Sequence, residues 1–126
     1  MENIVIDTSI FIDYDRTGEG IYIDLLKLAK NEQAKLFVPT IVIMEFWIGS
    51  SMKDTQKQQK AELFFKTMER IPLTEKIAKL GATLVRDKKI ARGFDAIVAA
   101  SSLSYEASLA TLNMKHFKAV SNLKLL

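Results

Sequence analysis

The sequence predicts an α/β fold, a parallel sheet with helices on both faces. Two observations carry the prediction. Short apolar runs of strand length alternate with stretches of helical period from one end of the chain to the other. Each parallel pairing needs a connecting segment of a dozen or more residues, and the segments between the runs supply it. No repeat, linker or low-complexity tract interrupts the order, and a chain of 126 residues suits one domain, 1–126.

Taken in order, residues 3–7 (NIVID) form a short apolar run ending in an acid and read as a buried strand. Thr8 and Ser9 can cap a short helix through Ile10, Phe11 and Ile12. Residues 16–20 are a polar, glycine-containing break. Ile21, Leu25, Leu28 and Ala29 then repeat at helical spacing over 21–30. After a loop at 31–34, residues 36–38 read as a second strand, stopped by Pro39. Thr40 can cap a helix that ends at Gly49. Residues 54–69 form a helix expected to bury Leu63, Phe64 and Met68, with 56–60 as its solvated face. A short strand at 70–73 carries Pro72, which places it at a sheet edge. Thr74 caps a helix bearing Ile77, Leu80, Gly81 and Leu84. A basic loop, DKKIARG, fills 87–93. The helix FDAIVAASSLSYE follows, then a fourth strand at 107–111, a turn or single helical turn at 113–117, and a closing strand at 123–126.

Composition removes several functions. With no cysteine there is no disulfide, thiolate metal site or cysteine nucleophile, which fits a cytoplasmic setting. One histidine excludes a His-rich zinc site. No signal peptide is expected at MENIVIDTS, and no membrane association. The net charge of +3, from 18 basic and 15 acidic residues, permits a polyanionic partner without demanding one.

Three carboxylates stand among apolar residues. Asp7 ends Ile4-Val5-Ile6, Glu45 is the only charge in 41–48, and Asp95 opens the run to Ala100. Burying an unpaired carboxylate costs several kcal/mol, so a cation, a hydrogen-bond network or a metal must compensate it. Asp7 and Asp95 could each simply cap a helix. Glu45 shares a helix face with Ile41 and Ile48 and needs a salt bridge or a ligand. In open parallel sheets ligands bind at the carboxyl ends of strands, and there Asp7, Glu45, Asp95 and Asn113 can converge. Oxygen donors of this kind select Mg²⁺ or Mn²⁺, and clustered carboxylates around such ions are a nuclease device. A receiver domain needs a further acid beside the first-strand aspartate, where Ile6 and Thr8 stand. A haloacid-type phosphatase needs an aspartate where Ser9 stands.

Four segments carry a family resemblance: IVIDTSIFIDY at 4–14, VPTIVIMEFWIG at 38–49, FDAIVAASSL at 94–103 and LATLNMKHFKAV at 109–120. In this order the chain resembles a PIN domain of the VapC toxin type. The resemblance implies a three-layer α/β/α fold whose parallel sheet of about five strands has the order 3-2-1-4-5. It also implies Mg²⁺- or Mn²⁺-dependent cleavage of RNA, a cognate antitoxin and a homodimer. Residue by residue, Asp7, Glu45 and Asp95 match the family's acids, and Thr8 and Ser9 its small hydroxyl residues, with Thr111 as a further support. Where members often carry a fourth acid, 111–117 has none, and Asn113 is the substitute able to offer a cation an oxygen. That departure supports the rival reading, a PIN fold that binds RNA or a protein without cutting.

Other residues are weighed more lightly. Lys88, Lys89 and Arg92 are either a solvated loop or a phosphate contact. His116 reads as a surface or structural residue rather than a general base, Trp47 as core or dimer contact, and Asp13 and Asp24 as surface acids. Phe46 and Trp47 motivate the homodimer, since aromatic residues are enriched at interface centres.

Overall fold

The computed structural model describes residues 1–126. Its order is β1 (Glu2–Ile6), α1 (Thr8–Thr17), α2 (Ile21–Lys30), β2 (Ala34–Pro39), α3 (Thr40–Trp47), a 3-10 turn (Ser50–Lys53), α4 (Thr55–Phe65), β3 (Glu69–Ile71), α5 (Glu75–Arg86), α6 (Phe94–Ser104), β4 (Ser108–Ala110) and α7 (Met114–Phe117). All pairings are parallel, and the strand order is β3-β2-β1-β4. Ile4, Val5 and Ile6 are consecutive and fully buried, as a strand must be when both faces of its sheet are covered.

The expected order 3-2-1-4 is therefore present, but the closing strand is not. It is reduced to one bridge, in which Leu109 and Leu125 pair through the Leu109 N–H and its carbonyl. Only this last stretch of chain reaches β4, too short a register for a ladder. β3 is an edge strand, but it spans Glu69–Ile71 rather than 70–73 and leaves Pro72, which has no N–H to pair, just outside it.

Three other expectations change. The first helix does not stop near Ile12 but runs to Thr17, where Gly18 at φ +71° closes it by donating to the Tyr14 carbonyl. Thr40 is the first helical residue rather than the cap, and its hydroxyl donates to the Ile71 carbonyl at 3.5 Å. The fourth helix ends at Phe65, because the chain must turn to pair Glu69–Ile71 with β2. Its buried residues are Ala61, Phe64 and Phe65, while Leu63 is exposed. Thr74 caps α5 as expected, accepting from the Ile77 N–H at 3.2 Å.

Phe11, Tyr14, Tyr22, Phe46, Phe64 and Phe65 form one aromatic cluster that joins α1, α2, α3 and α4. Edge and tilted contacts of this kind add about 0.5–1.5 kcal/mol per pair beyond burial. The Tyr22 hydroxyl donates to the Phe64 carbonyl at 3.1 Å. Burial, reinforced by Tyr14, pushes its pKa up to about 12. Phe46 belongs to this core and not to an outer face. Elsewhere α5 packs against α6 at Gly81, where a Cβ would stand 3.3 Å from the Ala96 carbonyl oxygen. These two packings hold the elements that carry the three acids.

Candidate active site

Asp7 follows β1 directly, and Thr111 follows the neighbouring β4. The Asp7 N–H donates to the Ala110 carbonyl at 3.0 Å, so the sheet itself places both residues at its carboxyl edge. Glu45 reaches the same edge from α3 and Asp95 from the first turn of α6. One cleft of about 510 Å³ is lined by Asp7, Glu45, Asp95 and Asn113 together. Thr8 and Ser9 line it as well, whereas Thr111 is buried behind Asp7.

The helix-cap readings of the acids do not hold. Asp7 occupies the N-cap position of α1 but its side chain makes no cap bond. It is 2% exposed, and Oδ2 accepts from Thr111 Oγ1 at 2.7 Å and from Ser9 Oγ at 2.9 Å. Those hydroxyls in turn accept backbone N–H groups, Asn113 on Thr111 and Leu112 on Ser9, each at 3.0 Å. Two hydroxyls thus relay the loop after β4 onto one carboxylate oxygen.

Glu45 meets no lysine or arginine; Oε1 accepts from Thr8 Oγ1 at 2.5 Å. Burial raises its carboxyl above the usual range, the Thr8 hydrogen bond lowers it, and the charges of Asp7 and Asp95 raise it. Asp95 is not the cap of α6 either, a place taken by Gly93. Its Oδ2 lies 2.9 Å from His116 Nδ1. A carboxylate only accepts, so Nδ1 carries the hydrogen.

A single pattern emerges. Each acid has one oxygen held by a protein donor, and the other accepts no hydrogen bond from the chain. The cleft holds four acids, with Asp13, against one cation, Arg16. Charge and donor type therefore fit a hard cation. The acids are not, however, drawn into a closed group of three around one point. The Asn113 side chain is exposed at the rim without a protein partner.

Asp13 lines this cleft and is not a simple surface acid, while Asp24 is exposed on α2. Arg16 and Leu112 also line it, unforeseen from the sequence. A longer first helix would have been the only signal for Arg16, one turn beyond Ile12. Lys88, Lys89 and Arg92 lie outside the acid cleft in an adjoining one, with Lys115 and His116.

The parallel α/β sheet whose carboxyl edge gathers these acids has a family: the chain belongs to the PIN domain family, whose model matches residues 4–123. Among individual proteins it is similar to Ribonuclease VapC2 of Rickettsia felis, 26% identical over 124 residues, covering 94% of this chain and 92% of that protein. It is also similar to the crystal structure of VapBC2 from Rickettsia felis bound to a promoter DNA fragment. There the TM-score is 0.82 at 27% identity, covering 98% of this chain and 97% of the other. A toxin-antitoxin complex from Klebsiella pneumoniae shares the fold, with a TM-score of 0.73 at 22% identity and 95% and 94% coverage.

Proposed function

We propose that this chain is a divalent-metal-dependent endoribonuclease and the toxin of a toxin–antitoxin pair. The observation that carries the reading is the uncommitted oxygen on each of three carboxylates facing one cleft. The family membership and the likeness to a ribonuclease and to VapBC2 support it.

Asp7, Glu45 and Asp95 would hold Mg²⁺ or Mn²⁺, with Asn113 offering an amide oxygen from the rim. Such an ion, when bound, lowers the pKa of water and neutralises charge on a phosphodiester under attack. The chain's own residues prepare the site. Ser9 and Thr111 fix Asp7, Thr8 fixes Glu45, and His116 fixes Asp95, so that each carboxylate keeps one oxygen free of protein donors. His116 is thereby a positioning residue.

The antitoxin partner rests on the likeness to VapBC2. A homodimer is favoured by α3 and its C-cap, where Met44 and Ile48 are 54% and 65% exposed beside half-buried Trp47. Residues 1–126 are read as one domain around one core cluster. No helix is long and apolar enough to cross a membrane, and a cytoplasmic site of action is proposed from the absence of cysteine. Asn113 in place of an acid favours the second reading, a PIN fold that binds without cutting.

Single-stranded RNA incubated with purified protein decides between them. Cleavage in Mg²⁺ or Mn²⁺ that stops with EDTA supports the nuclease. Intact RNA bound with equal affinity in both conditions supports the binding module.

A further inference from the structure

Beside the acid cleft, and sharing Asp95 as a wall, lies a second cleft of about 640 Å³. Lys88, Lys89 and Arg92 enter it from the α5–α6 loop, and Lys115 from α7. None of these four cations has an acidic partner within salt-bridge distance, although five other Lys or Arg ion pairs form across the molecule. The one acid in the wall, Asp95, is already engaged by His116. Four uncompensated positive charges around a concavity hold a local potential that the modest overall charge of +3 does not express.

We propose that this basic cleft binds the phosphodiester backbone of the RNA strand on one side of the bond to be cut. The proposal rests on the ribonuclease reading of the acid cleft. Four acids against one arginine leave the acid cleft short of positive charge even beside one divalent ion, so further attraction for a polyanion is expected from a neighbouring surface. The basic cleft is the adjoining surface that supplies it, with the Asp95–His116 pair standing between the two. Lys88 at φ +58° turns the loop over the buried Ile90 anchor, which holds the cations against the body of the protein. The contacts are to phosphates, so they position the strand and contribute affinity without reading bases.

The test combines binding in EDTA with cleavage in Mn²⁺. A fluorescein-labelled single-stranded RNA is titrated at several salt concentrations against wild type and a variant carrying Lys88→Gln, Lys89→Gln, Arg92→Gln and Lys115→Gln. Each neutralised contact to a single strand removes about 0.7 from the slope of log affinity against log salt. Four contacts make wild type lose about fifty-fold more affinity than the variant between about 50 and 200 mM salt. In cleavage the variant should show a raised KM with kcat at saturating RNA unchanged. Shortening the RNA from one end should raise KM for wild type and not for the variant. Lys124→Gln, at the far end of the sheet, serves as the control that alters none of these. Unchanged slope and KM in the fourfold variant overturn the proposal while leaving the nuclease standing. Failure of wild type to cut any RNA strikes the nuclease reading instead, and the EDTA arm still reads the cleft. If poly-glutamate displaces RNA from wild type at matched charge, the cleft is a general polyanion site and the assignment to RNA is overturned.

Discussion

Thr111→Val should both destabilise the protein and weaken its hold on a cation. The side chain is 2% exposed, and valine nearly reproduces its shape, so packing is preserved. What disappears is the 2.7 Å bond to Asp7 Oδ2 and the acceptor for the Asn113 N–H. A hydrogen bond to a charged group contributes about 1.5–3 kcal/mol. The Asn113 N–H belongs to an exposed residue and can turn to water, adding little. Asp7 keeps only the Ser9 bond on that oxygen. For a domain of this size 1 kcal/mol shifts Tm by roughly 4 °C, so a fall of about 6–12 °C is expected. The assay is thermal unfolding in EDTA at pH 7, run as a double-mutant cycle with Asp7→Asn. In that background the charge is gone, and Thr111→Val should cost about 1 kcal/mol less. Costs that add within about 0.5 kcal/mol would refute the claim that the hydroxyl acts through the carboxylate.

Three further outcomes are expected. Glu45 binds its proton more tightly folded than unfolded, chiefly through burial, so over that range the folded state carries more protons and stability falls as pH rises. The cost is fully present above the folded pKa; Glu45→Gln should therefore raise the Tm of the metal-free protein at pH 7 and flatten its decline from acid pH, and a lowered Tm would contradict this. Asn113→Asp should lower the Mn²⁺ concentration for half-maximal cleavage and Asn113→Ala should raise it, with an unchanged metal dependence in both showing that Asn113 is not a ligand. Light scattering at tens of micromolar should give a dimer, and Met44→Glu with Ile48→Glu should give a folded monomer whose Tm no longer depends on protein concentration; a monomeric wild type would end the dimer proposal.

That Asp7, Glu45 and Asp95 line one cleft was legible in the sequence because a charge inside an apolar run is costly and therefore conspicuous. The sheet order was legible through the family resemblance, with the fifth strand shrunk to the bridge at Leu125. What surrounds the acids was less so. The relay from Asn113 through Thr111 to Asp7 spans residues more than a hundred positions apart and exists only because β1 and β4 are neighbours. The approach of Lys115 and His116 to the 87–93 loop likewise depends on how α7 packs against α6. Leu63, expected inside, is exposed while Phe65 is buried, because periodicity sets the width of an apolar stripe better than its phase, and β3 decided where α4 had to end. Phe46 looked like an interface residue from a helix apolar all round; only the aromatic cluster beneath it makes it core.

Asp7, Glu45 and Asp95, with one uncommitted oxygen apiece, would together hold the cation on which RNA cleavage depends. Calorimetric titration of Mn²⁺ into wild type, Asp7→Asn, Glu45→Gln and Asp95→Asn, paired with RNA cleavage by the same samples, tests it most directly. Wild type should bind and cut, and each variant should remain folded, bind Mn²⁺ at least tenfold more weakly, about 1.4 kcal/mol, and lose cleavage. Wild-type Mn²⁺ affinity and cleavage in all three variants would contradict it.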